Sequence, residues 1–515
     1  MLSNTFIFFF AYIFYFFSSI GFGQLINFKS EKINFYENFF FGSALLLIIS
    51  FILKITFIQN QILNTLVIIL GLIIFFLKNK KEKKNCYKSF LLATILFAGL
   101  LISKTHEDFG EYHYQGIINL NNNFLIFGEA NLNIVLSHIS PLANNQQFLY
   151  NDFLDYKLIH IPIFLYLVSA VGYFIEIALN EKNKSPEIIF CSLLTIILIT
   201  KFSRLGEYGY DLPAQVLLLI IAHKLIFSKE LVEIKKALTL FCFAVVIKPI
   251  SLFFAPILLY KINLILPNVK KYLEKKFIII NLTLLLIIFS TSFIRTGCLY
   301  YPINKSCFSP DVIEWSSKKD LKIYSRVIEH WAKGYGHQEK TNFKKIDNLD
   351  EYLDKFNWFK YWINLHFFTK ISDYLLHITF IFLILFFISK KNHVENKKNY
   401  PLIIFSALSF LFWLIYAPQF RFAVAIISIF FYSLIVFTFN TNRIIEFKKL
   451  KFLFLISFLI FNIKNIYRIN FEFKRNDVYQ YVNFPWFNTN YNNFYFKEKI
   501  KFIDMKKIII IKNTN

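Results

Sequence analysis

The sequence predicts an all-α integral membrane protein with about 12–14 transmembrane helices and outer-face loops that carry short amphipathic helices. Hydrophobic residues make up 56% of the 515-residue chain and aromatic residues 20%. The mean hydropathy is +0.48, and apolar stretches long enough to cross a bilayer recur along most of the sequence. One soluble core could not bury this much apolar surface, so a soluble fold is excluded.

Fourteen apolar stretches set the predicted helices, because about 20 consecutive apolar residues span the hydrocarbon core of a bilayer. Lys248-Pro249 and Pro256 interrupt the region 236–266, which leaves open a broken or re-entrant pair there. The stretches lie near 5–23, 39–57, 61–77, 89–103, 158–178, 186–202, 212–227, 236–247, 250–266, 277–294, 371–389, 400–417, 422–440 and 451–467.

The positive charge of the chain indicates its orientation in the membrane. The formal net charge is +24, but the Lys residues fall mostly in short connectors between apolar stretches, which predicts cytoplasmic loops and no nucleic-acid partner. The N-terminus lacks a positively charged n-region, so the first apolar stretch is predicted to be a retained helix. The connectors are Lys78–Lys88, His223–Lys236, Lys261–Lys276, Lys390–Lys398 and Arg443–Lys451.

Alternation from these connectors places the remaining loops on the outer face. Residues 1–467 are predicted to form one polytopic transmembrane domain, and 468–515 an extramembrane C-terminal tail that parity places outside. We expect a multi-pass protein of the bacterial inner membrane. The predicted outer segments are 104–157, 203–211, the Lys248 turn, 295–370 and 418–421.

The first outer loop opens with a cluster of ionisable residues at the mouth of an apolar stretch. In a helix, Glu107 and Glu111 would share one face beside Asp108, and His106 would align with His113. Such groups are kept at a bilayer mainly where they face a cavity, a substrate or each other. We expect these three carboxylates and His113 to be catalytic, with Asp108 or Glu107 as general base. The alternative is a solvated loop entry.

No metal site is predicted from this cluster, although a divalent cation could bind its carboxylate face. The order His-Glu-Asp-Phe-Gly from residue 106 lacks the second His of the zinc-protease helix. The sequence therefore predicts no certain cofactor.

Cationic residues at other outer segments are candidates for phosphate binding. Arg204 lies near Glu207 and Asp211 in the second outer turn, and a guanidinium fork suits a phosphate or pyrophosphate. The alternative is an internal ion pair that fixes the turn. Lys248 and Arg421 are single cations at outer helix ends, each near a proline. They could clamp an anionic headgroup or extend to lipid phosphates.

The long outer loop begins with two cysteines and continues with alternating charge and tryptophan. Cys298 and Cys307 are expected to form a disulfide if the loop faces an oxidising compartment. The stretch 311–365 is typical of amphipathic helices along the outer interface, and aromatic residues favour that zone. Its tryptophans, Trp315, Trp331, Trp358 and Trp362, are expected to anchor there, with sugar stacking as the alternative.

With these residues together, the chain resembles a family of poorly characterised bacterial multi-span envelope proteins. It is more distantly similar to the C-type membrane glycosyltransferases, which use polyprenyl-phosphate-linked sugars. The resemblance spans residues 104–422. The residues that carry it are His106-Glu107-Asp108-Phe109 with Tyr112-His113, Arg204 to Gln215, Lys248-Pro249, Thr296 to Pro302 with Cys307-Phe308, and Pro418 to Phe422.

The resemblance implies a membrane glycosyltransferase that moves a sugar from a polyprenyl-phosphate carrier to an envelope glycan or lipid acceptor on the outer face. An acidic residue of the first outer loop would be the catalytic base or a metal ligand, which here is Asp108 or Glu107. Arg204, Lys248 and Arg421 would hold the phosphate, with His106, Glu207 and Asp211 as further substrate-binding candidates. The acidic loop follows the first helix in those enzymes but roughly the fourth here.

Two functions of other classes stay open beside the enzyme. One is a transporter or flippase of a lipid-linked glycan, which would favour ionisable residues near the midplane and two related halves. The other is a non-catalytic component of an envelope assembly. In each case membrane lipids are partners of the protein.

Overall fold

The computed structural model describes residues 2–26, 34–80, 82–103, 108–121, 125–150, 153–202, 209–268, 270, 274–391, 399–439, 441–474, 481–487, 500–505 and 508–513. In these residues the chain is almost entirely helical, which confirms the predicted fold class.

Fourteen helices of 14 residues or more follow most of the predicted apolar stretches. They are α1 (Leu2–Gly23), α2 (Glu37–Ile55), α3 (Gln61–Lys78), α4 (Lys83–Leu96), α5 (Ile161–Ala178), α6 (Ser185–Lys201), α7 (Asp211–Phe227), α8 (Leu231–Ile247), α9 (Lys275–Thr296), α10 (Lys318–Ala332), α11 (Ser372–Ile388), α12 (Tyr400–Tyr416), α13 (Val424–Thr438) and α14 (Phe447–Lys474).

Shorter helical segments fill the loops. The α-helical ones are Tyr114–Asn121, Glu129–Leu132, Ala143–Gln146, Ala255–Leu258, Ile262–Ile265, Leu349–Leu353 and Phe359–Trp362. The 3-10 segments are Phe97–Leu100, Ile134–His138, Gln147–Leu149, Pro249–Phe254, Leu259–Lys261, Leu266–Asn268, Asn304–Ser306, Tyr335–Lys340, Asp354–Phe356 and Phe420–Phe422, and the π-helical ones are Phe109–His113 and Ile363–Ile371.

Eight helical segments of the described chain are long and apolar enough to cross a membrane, and α12 and α13 are shorter apolar helices. The protein is therefore a multi-pass membrane protein. The region predicted to be broken after Lys248 is one of the eight, and it alternates 3-10 and α turns because its prolines interrupt a regular helix. The eight segments are α1, α2, α3, α5, Pro249–Asn268, α9, Phe359–Ile388 and α14.

Close backbone packing joins the first three helices. A Cβ atom built on Gly21 would lie 2.0 Å from the carbonyl oxygen of Gly71 on α3, and one on Gly42 would lie 1.7 Å from that of Ser19 on α1. Small residues let membrane helices approach at this distance. Glycine is therefore required at these crossings. Helices α5 and α7 occupy the buried centre of the bundle.

Lys-rich connectors predicted to be cytoplasmic meet one another in the structure. Lys235 pairs with Glu274 at 2.5 Å, which joins the connectors before and after the broken segment. Strands β2 (Ser389–Lys391) and β3 (Arg443–Ile445) pair antiparallel and join two further connectors. We call the end of the bundle that carries these connectors the inner end.

The C-terminal tail contacts the first outer loop. Helix α14 continues to Lys474, seven residues beyond the predicted end of the membrane domain. Its polar last turns are therefore helical as well. Strand β7 (Ile508–Asn513) pairs parallel with β1 (Leu125–Phe127) and antiparallel with β6 (Ile500–Met505). Strands β4 (Tyr481–Asn483) and β5 (Trp486–Phe487) form a separate pair. The described part of the tail thus lies beside loop 104–157.

Candidate functional site

Four charged residues from four separate connections meet at the other end of the bundle, the outer end. Arg421 Nη1 lies 3.4 Å from Asp108 Oδ2, and Arg421 Nε lies 3.4 Å from Asp211 Oδ2. Lys248 Nζ lies 3.0 Å from Asp211 Oδ1. We call these four residues the outer cluster. Its two carboxylates and two cations alternate in a chain, so its formal charge is zero.

Helix ends and irregular backbone position these side chains. Asp211 is the first residue of α7. Lys248 is the residue that follows the last turn of α8, and Pro249 then starts a 3-10 turn. Ser140 Oγ donates to the Ile247 carbonyl oxygen at 2.7 Å, which ties the first outer loop to the Lys248 turn. The dipole of α7 stabilises a carboxylate at its N-terminus. Backbone at an interrupted membrane helix is tolerated where it is buried in protein or lines a polar cavity.

Gln215 fixes the turn that carries Arg421. Its Nε2 donates to the Phe422 carbonyl oxygen at 2.9 Å, and its Oε1 accepts from the Ala425 backbone N–H at 3.0 Å. Since Gln215 lies one turn after Asp211 on α7, the same helix positions Asp211 and the Arg421 turn. The Arg421 guanidinium also lies 5.2 Å from the ring centre of Trp331.

Two carboxylates stabilise the charged form of Arg421. Burial lowers its pKa, but the carboxylates of Asp211 and Asp108 more than offset this and raise it above the usual value. Among the described residues, the Nε–H of Arg421 has no acceptor with hydrogen-bond geometry. A phosphate oxygen could accept a charge-assisted hydrogen bond from this Nε–H.

Two neutral groups next to the outer cluster were missed by the sequence analysis. Burial, and then the nearby carboxylates of Asp108 and Asp211, raise the pKa of Tyr112, so its phenol keeps its proton. Burial, followed by the positive charge of Lys248, lowers the pKa of His138 to about 3. His138 Nε2 and the Tyr301 hydroxyl lie 3.1 Å apart. Tyr112 was named from the sequence only within the motif that carries the resemblance and was given no role, and His138 was not named.

A buried ion pair supports the loop that carries His138. Arg295 Nη1 donates to the Ile139 carbonyl oxygen at 2.6 Å, and Arg295 Nε lies 3.1 Å from Glu129 Oε2. This pair was also missed, because Arg295 ends a predicted span and Glu129 lies in a polar loop. It holds the segment 138–140 against α9 and so supports the Lys248 turn.

The structure brings together four of the ten candidate catalytic and substrate-binding residues. Asp108, Asp211, Lys248 and Arg421 form the outer cluster. His113 is buried, with its ring 4.2 Å from that of Tyr112 and 4.9 Å from that of Tyr210. The backbone of Glu111 lies in the π-helix that follows Asp108, but its side chain is outside the description. His106, Glu107, Arg204 and Glu207 lie outside the described residues.

Two further expectations concern cysteines and metals. Cys298 and Cys307 are joined in a disulfide, as the sequence predicts. In the described part of the chain, no group of three or more His, Cys, Asp or Glu side chains could hold a metal ion. Within the outer cluster the cations Arg421 and Lys248 pair with the two carboxylates.

The tryptophans of the long outer loop divide into two groups. Trp358 and Trp362 are buried, and Trp362 Nε1 donates to the Pro418 carbonyl oxygen at 2.6 Å. The expectation that they anchor in the interface is therefore wrong for these two, because both are buried inside the protein. Trp362 packs against the turn that carries Arg421. Trp331 is 39% exposed and keeps the expected position at a surface.

These features define a multi-pass α-helical membrane protein with a polar site at the outer end of its bundle. Residues 1–428 match the family model described as "Domain of unknown function (DUF8201)", and the chain belongs to this family. The match includes all four residues of the outer cluster and ends within α13. No curated protein and no solved structure matches the chain.

Proposed function

We propose that the protein is a membrane glycosyltransferase of the bacterial inner membrane. It takes a sugar from a polyprenyl-phosphate carrier and transfers it to an envelope glycan or lipid acceptor on the outer face. One observation carries the proposal: two carboxylates and two cations, far apart in sequence, meet at the outer end of the bundle. There the Arg421 Nε–H lies 3.4 Å from Asp211 Oδ2 without hydrogen-bond geometry to any described acceptor. The resemblance to C-type enzymes supports it.

The reaction assigns each charge a role. The donor phosphate binds Arg421 and Lys248 and replaces Asp108 on the guanidinium, which frees that carboxylate. The acceptor hydroxyl then attacks the anomeric carbon while its proton passes to Asp108. The bond from the anomeric carbon to the phosphate oxygen breaks, and its electron pair stays on the phosphate, where Arg421 and Lys248 stabilise the negative charge.

The neutral neighbours suit the recognition of hydroxyl groups. The Tyr112 phenol and the His138 imidazole stay uncharged at neutral pH because their pKa values are shifted away from it. Neutral donors and acceptors beside a charged pair orient a sugar without competing for the phosphate. Asp211 bridges Lys248 and Arg421 and acts as a positioning residue, since it holds both cations at one place.

The test is transfer by the reconstituted protein. Proteoliposomes would contain the full chain, radiolabelled polyprenyl-phosphate hexose or pentose, and envelope lipids and glycans as acceptors. We expect the wild-type protein to release polyprenyl phosphate and Asp108→Asn to abolish that release. Asp311→Asn is the matched control, because Asp311 is an exposed acid of the other outer loop.

Each other outcome contradicts the proposal. Unchanged release by Asp108→Asn removes Asp108 as the base. Movement of intact donor across the bilayer without cleavage supports the transporter or flippase instead. No cleavage and no movement by the folded wild-type protein with any of these donors leaves the enzyme hypothesis without support and favours a non-catalytic envelope component.

A further inference from the structure

Helix α10, in the long outer loop, exposes a row of apolar side chains. Ile323, Val327 and Trp331 are 65%, 50% and 39% exposed. Residues four apart lie on one face of a helix, so the three side chains form a continuous stripe. The opposite face carries Leu321, which is buried against the disulfide loop. The helix is therefore anchored to the protein on one side and presents apolar surface on another.

A basic row runs beside this apolar stripe. Lys318, Lys319 and Lys322 are exposed in the first two turns of α10. Lys318 and Lys322 lie beside the apolar stripe, and Lys319, four residues before Ile323, lies at its N-terminal end. An apolar stripe flanked by lysines is the pattern of a helix that lies in the membrane interface, with its apolar side in the acyl boundary and its lysines at the headgroups. Lysines near a bilayer surface are attracted to anionic headgroups.

The same helix contacts the outer cluster and its surroundings at two points. The Trp331 ring lies 5.2 Å from the Arg421 guanidinium carbon. The Tyr324 ring centre lies 5.2 Å from that of His138. The last residue of the apolar stripe is thus also the aromatic neighbour of Arg421. A lipid molecule that lies along the stripe would bring its phosphate toward the outer cluster.

We infer that α10 docks onto the outer-leaflet lipid surface through Ile323, Val327 and Trp331, with its lysine row on anionic headgroups. This docking places the outer cluster next to the lipid surface, where a lipid-borne phosphate can reach it. The position of α10 beside the outer helix ends supports a lipid occupant, as does the charge complementarity of its lysine row. The docking itself does not depend on glycosyl transfer. The approach of a lipid-borne phosphate along α10 rests on the proposed function. It specifies the side from which that substrate reaches the outer cluster.

The first experiment measures which solvent surrounds the stripe. The free cysteines Cys86, Cys191 and Cys242 are replaced by serine, and single spin-labelled cysteines are placed at 323, 327 and, as controls, 319 and 311. The full protein is reconstituted in phosphatidylcholine and phosphatidylglycerol. We expect labels at 323 and 327 to be relaxed by oxygen, which concentrates in lipid, and labels at 319 and 311 by a water-soluble nickel chelate. Access of the nickel chelate to labels at 323 and 327 would overturn the docking, because it would show that water surrounds the stripe. Access of neither reagent would also overturn it, because it would indicate that protein covers the stripe.

The second experiment tests the lysine row. The share of Trp331 in the fluorescence is the difference between the wild-type protein and Trp331→Phe. We expect brominated phosphatidylglycerol to quench that share at least twofold more than brominated phosphatidylcholine. Replacing Lys318, Lys319 and Lys322 with glutamine should remove the preference. Equal quenching in the wild-type protein contradicts the anionic part of the inference. Neither experiment measures sugar transfer, so failure of the proposed function would leave these results interpretable.

Discussion

The two ends of the helical bundle each hold two carboxylates and two cations, but in different surroundings. At the inner end Glu37, Lys224, Glu233 and Lys236 form what we call the inner network. Lys224 lies 2.7 Å from Glu37, Lys236 lies 2.7 Å from Glu233 and 3.2 Å from Glu37, and Lys224 also pairs with Glu233. In the inner network each cation contacts both carboxylates. In the outer cluster the longest contacts are 3.4 Å, and Lys248 contacts Asp211.

Burial separates the two sets further. The side chains of Glu37, Lys224 and Lys236 are 2–4% exposed and that of Glu233 is 17% exposed. Those of the outer cluster are 11–34% exposed. The inner residues lie on regular helices, whereas Lys248 and Arg421 lie at interrupted backbone. The inner network is closed and stabilises the helix ends, while the outer cluster keeps access and donors for a ligand.

The largest expected effect is on stability at the inner end. Glu37→Gln leaves Lys224 and Lys236 buried with one carboxylate, and breaking a buried pair in this way costs about 3–5 kcal/mol. Asp108→Asn is the matched change at the outer end, where partly exposed pairs contribute about 1 kcal/mol or less. Thermal unfolding of the detergent-solubilised protein would measure both. A Tm loss for Asp108→Asn as large as that for Glu37→Gln would contradict the distinction.

The second expected effect is on phosphate binding at the outer end. Arg421→Lys removes the planar fork that contacts two carboxylates and stacks near Trp331, and lysine does not reproduce that geometry. We expect the Kd for polyprenyl phosphate to rise about tenfold, which corresponds to about 1.4 kcal/mol. The Tm should change little.

The matched control for that substitution is Arg443→Lys. Arg443 lies at the inner end with its guanidinium carbon 3.8 Å from the Phe386 ring centre, so it is also an arginine over an aromatic ring. Its replacement should leave the Kd unchanged. If both variants bind polyprenyl phosphate equally, the phosphate does not depend on the outer cluster.

The sequence predicted the meeting of Asp108, Asp211, Lys248 and Arg421 through topology alone. Alternating spans place their connections at one end of the bundle, although the chain separates Asp108 from Arg421 by 313 residues. Hydropathy located the helices because burial in lipid depends on composition. Distances were beyond prediction, since they depend on how α7, α8 and the two prolyl turns pack.

The residues that the sequence did not reveal are common types in ordinary positions. Tyr112 is one of 29 tyrosines. It lies four residues after Asp108, so local helical geometry brings the two together, but its burial depends on packing. Lys224 and Lys236 were interpreted as orientation signals, yet both are buried against Glu37, which lies 199 residues from Lys236. A charge pattern that predicts topology therefore gives no information on which lysines are paired and buried.

A third, smaller effect should appear when the Arg421 turn is loosened. Gln215→Leu removes the two hydrogen bonds that fix the turn, so we expect the Kd for polyprenyl phosphate to rise about threefold, with a Tm loss of a few degrees. Gln338→Leu is the matched control, because the Gln338 amide also bridges a backbone N–H and C=O, both of Ile346. Its Tm should fall similarly while its Kd stays unchanged. Equal changes in Kd would show that general loosening, rather than the turn, weakens binding.

The fourth expected effect is on the pH dependence of stability. Burial, with Lys248 and Arg421 nearby, lowers the pKa of His138 to about 3, and the partial opposition of Asp211 and Asp108 does not restore it. In the unfolded chain His138 titrates near 6.5, so between about 3 and 6.5 the unfolded state binds a proton that the folded state does not. The free energy of unfolding therefore falls as the pH falls through this range.

The substitution His138→Gln removes this contribution. Between pH 7 and pH 5 the Tm of the variant should therefore fall by a few degrees less than the Tm of the wild-type protein. His337→Gln, at an exposed position of the other outer loop, should leave the wild-type slope unchanged. If His138→Gln also keeps that slope, the folded state accommodates an imidazolium beside two cations, and the outer cluster is open enough to hydrate it.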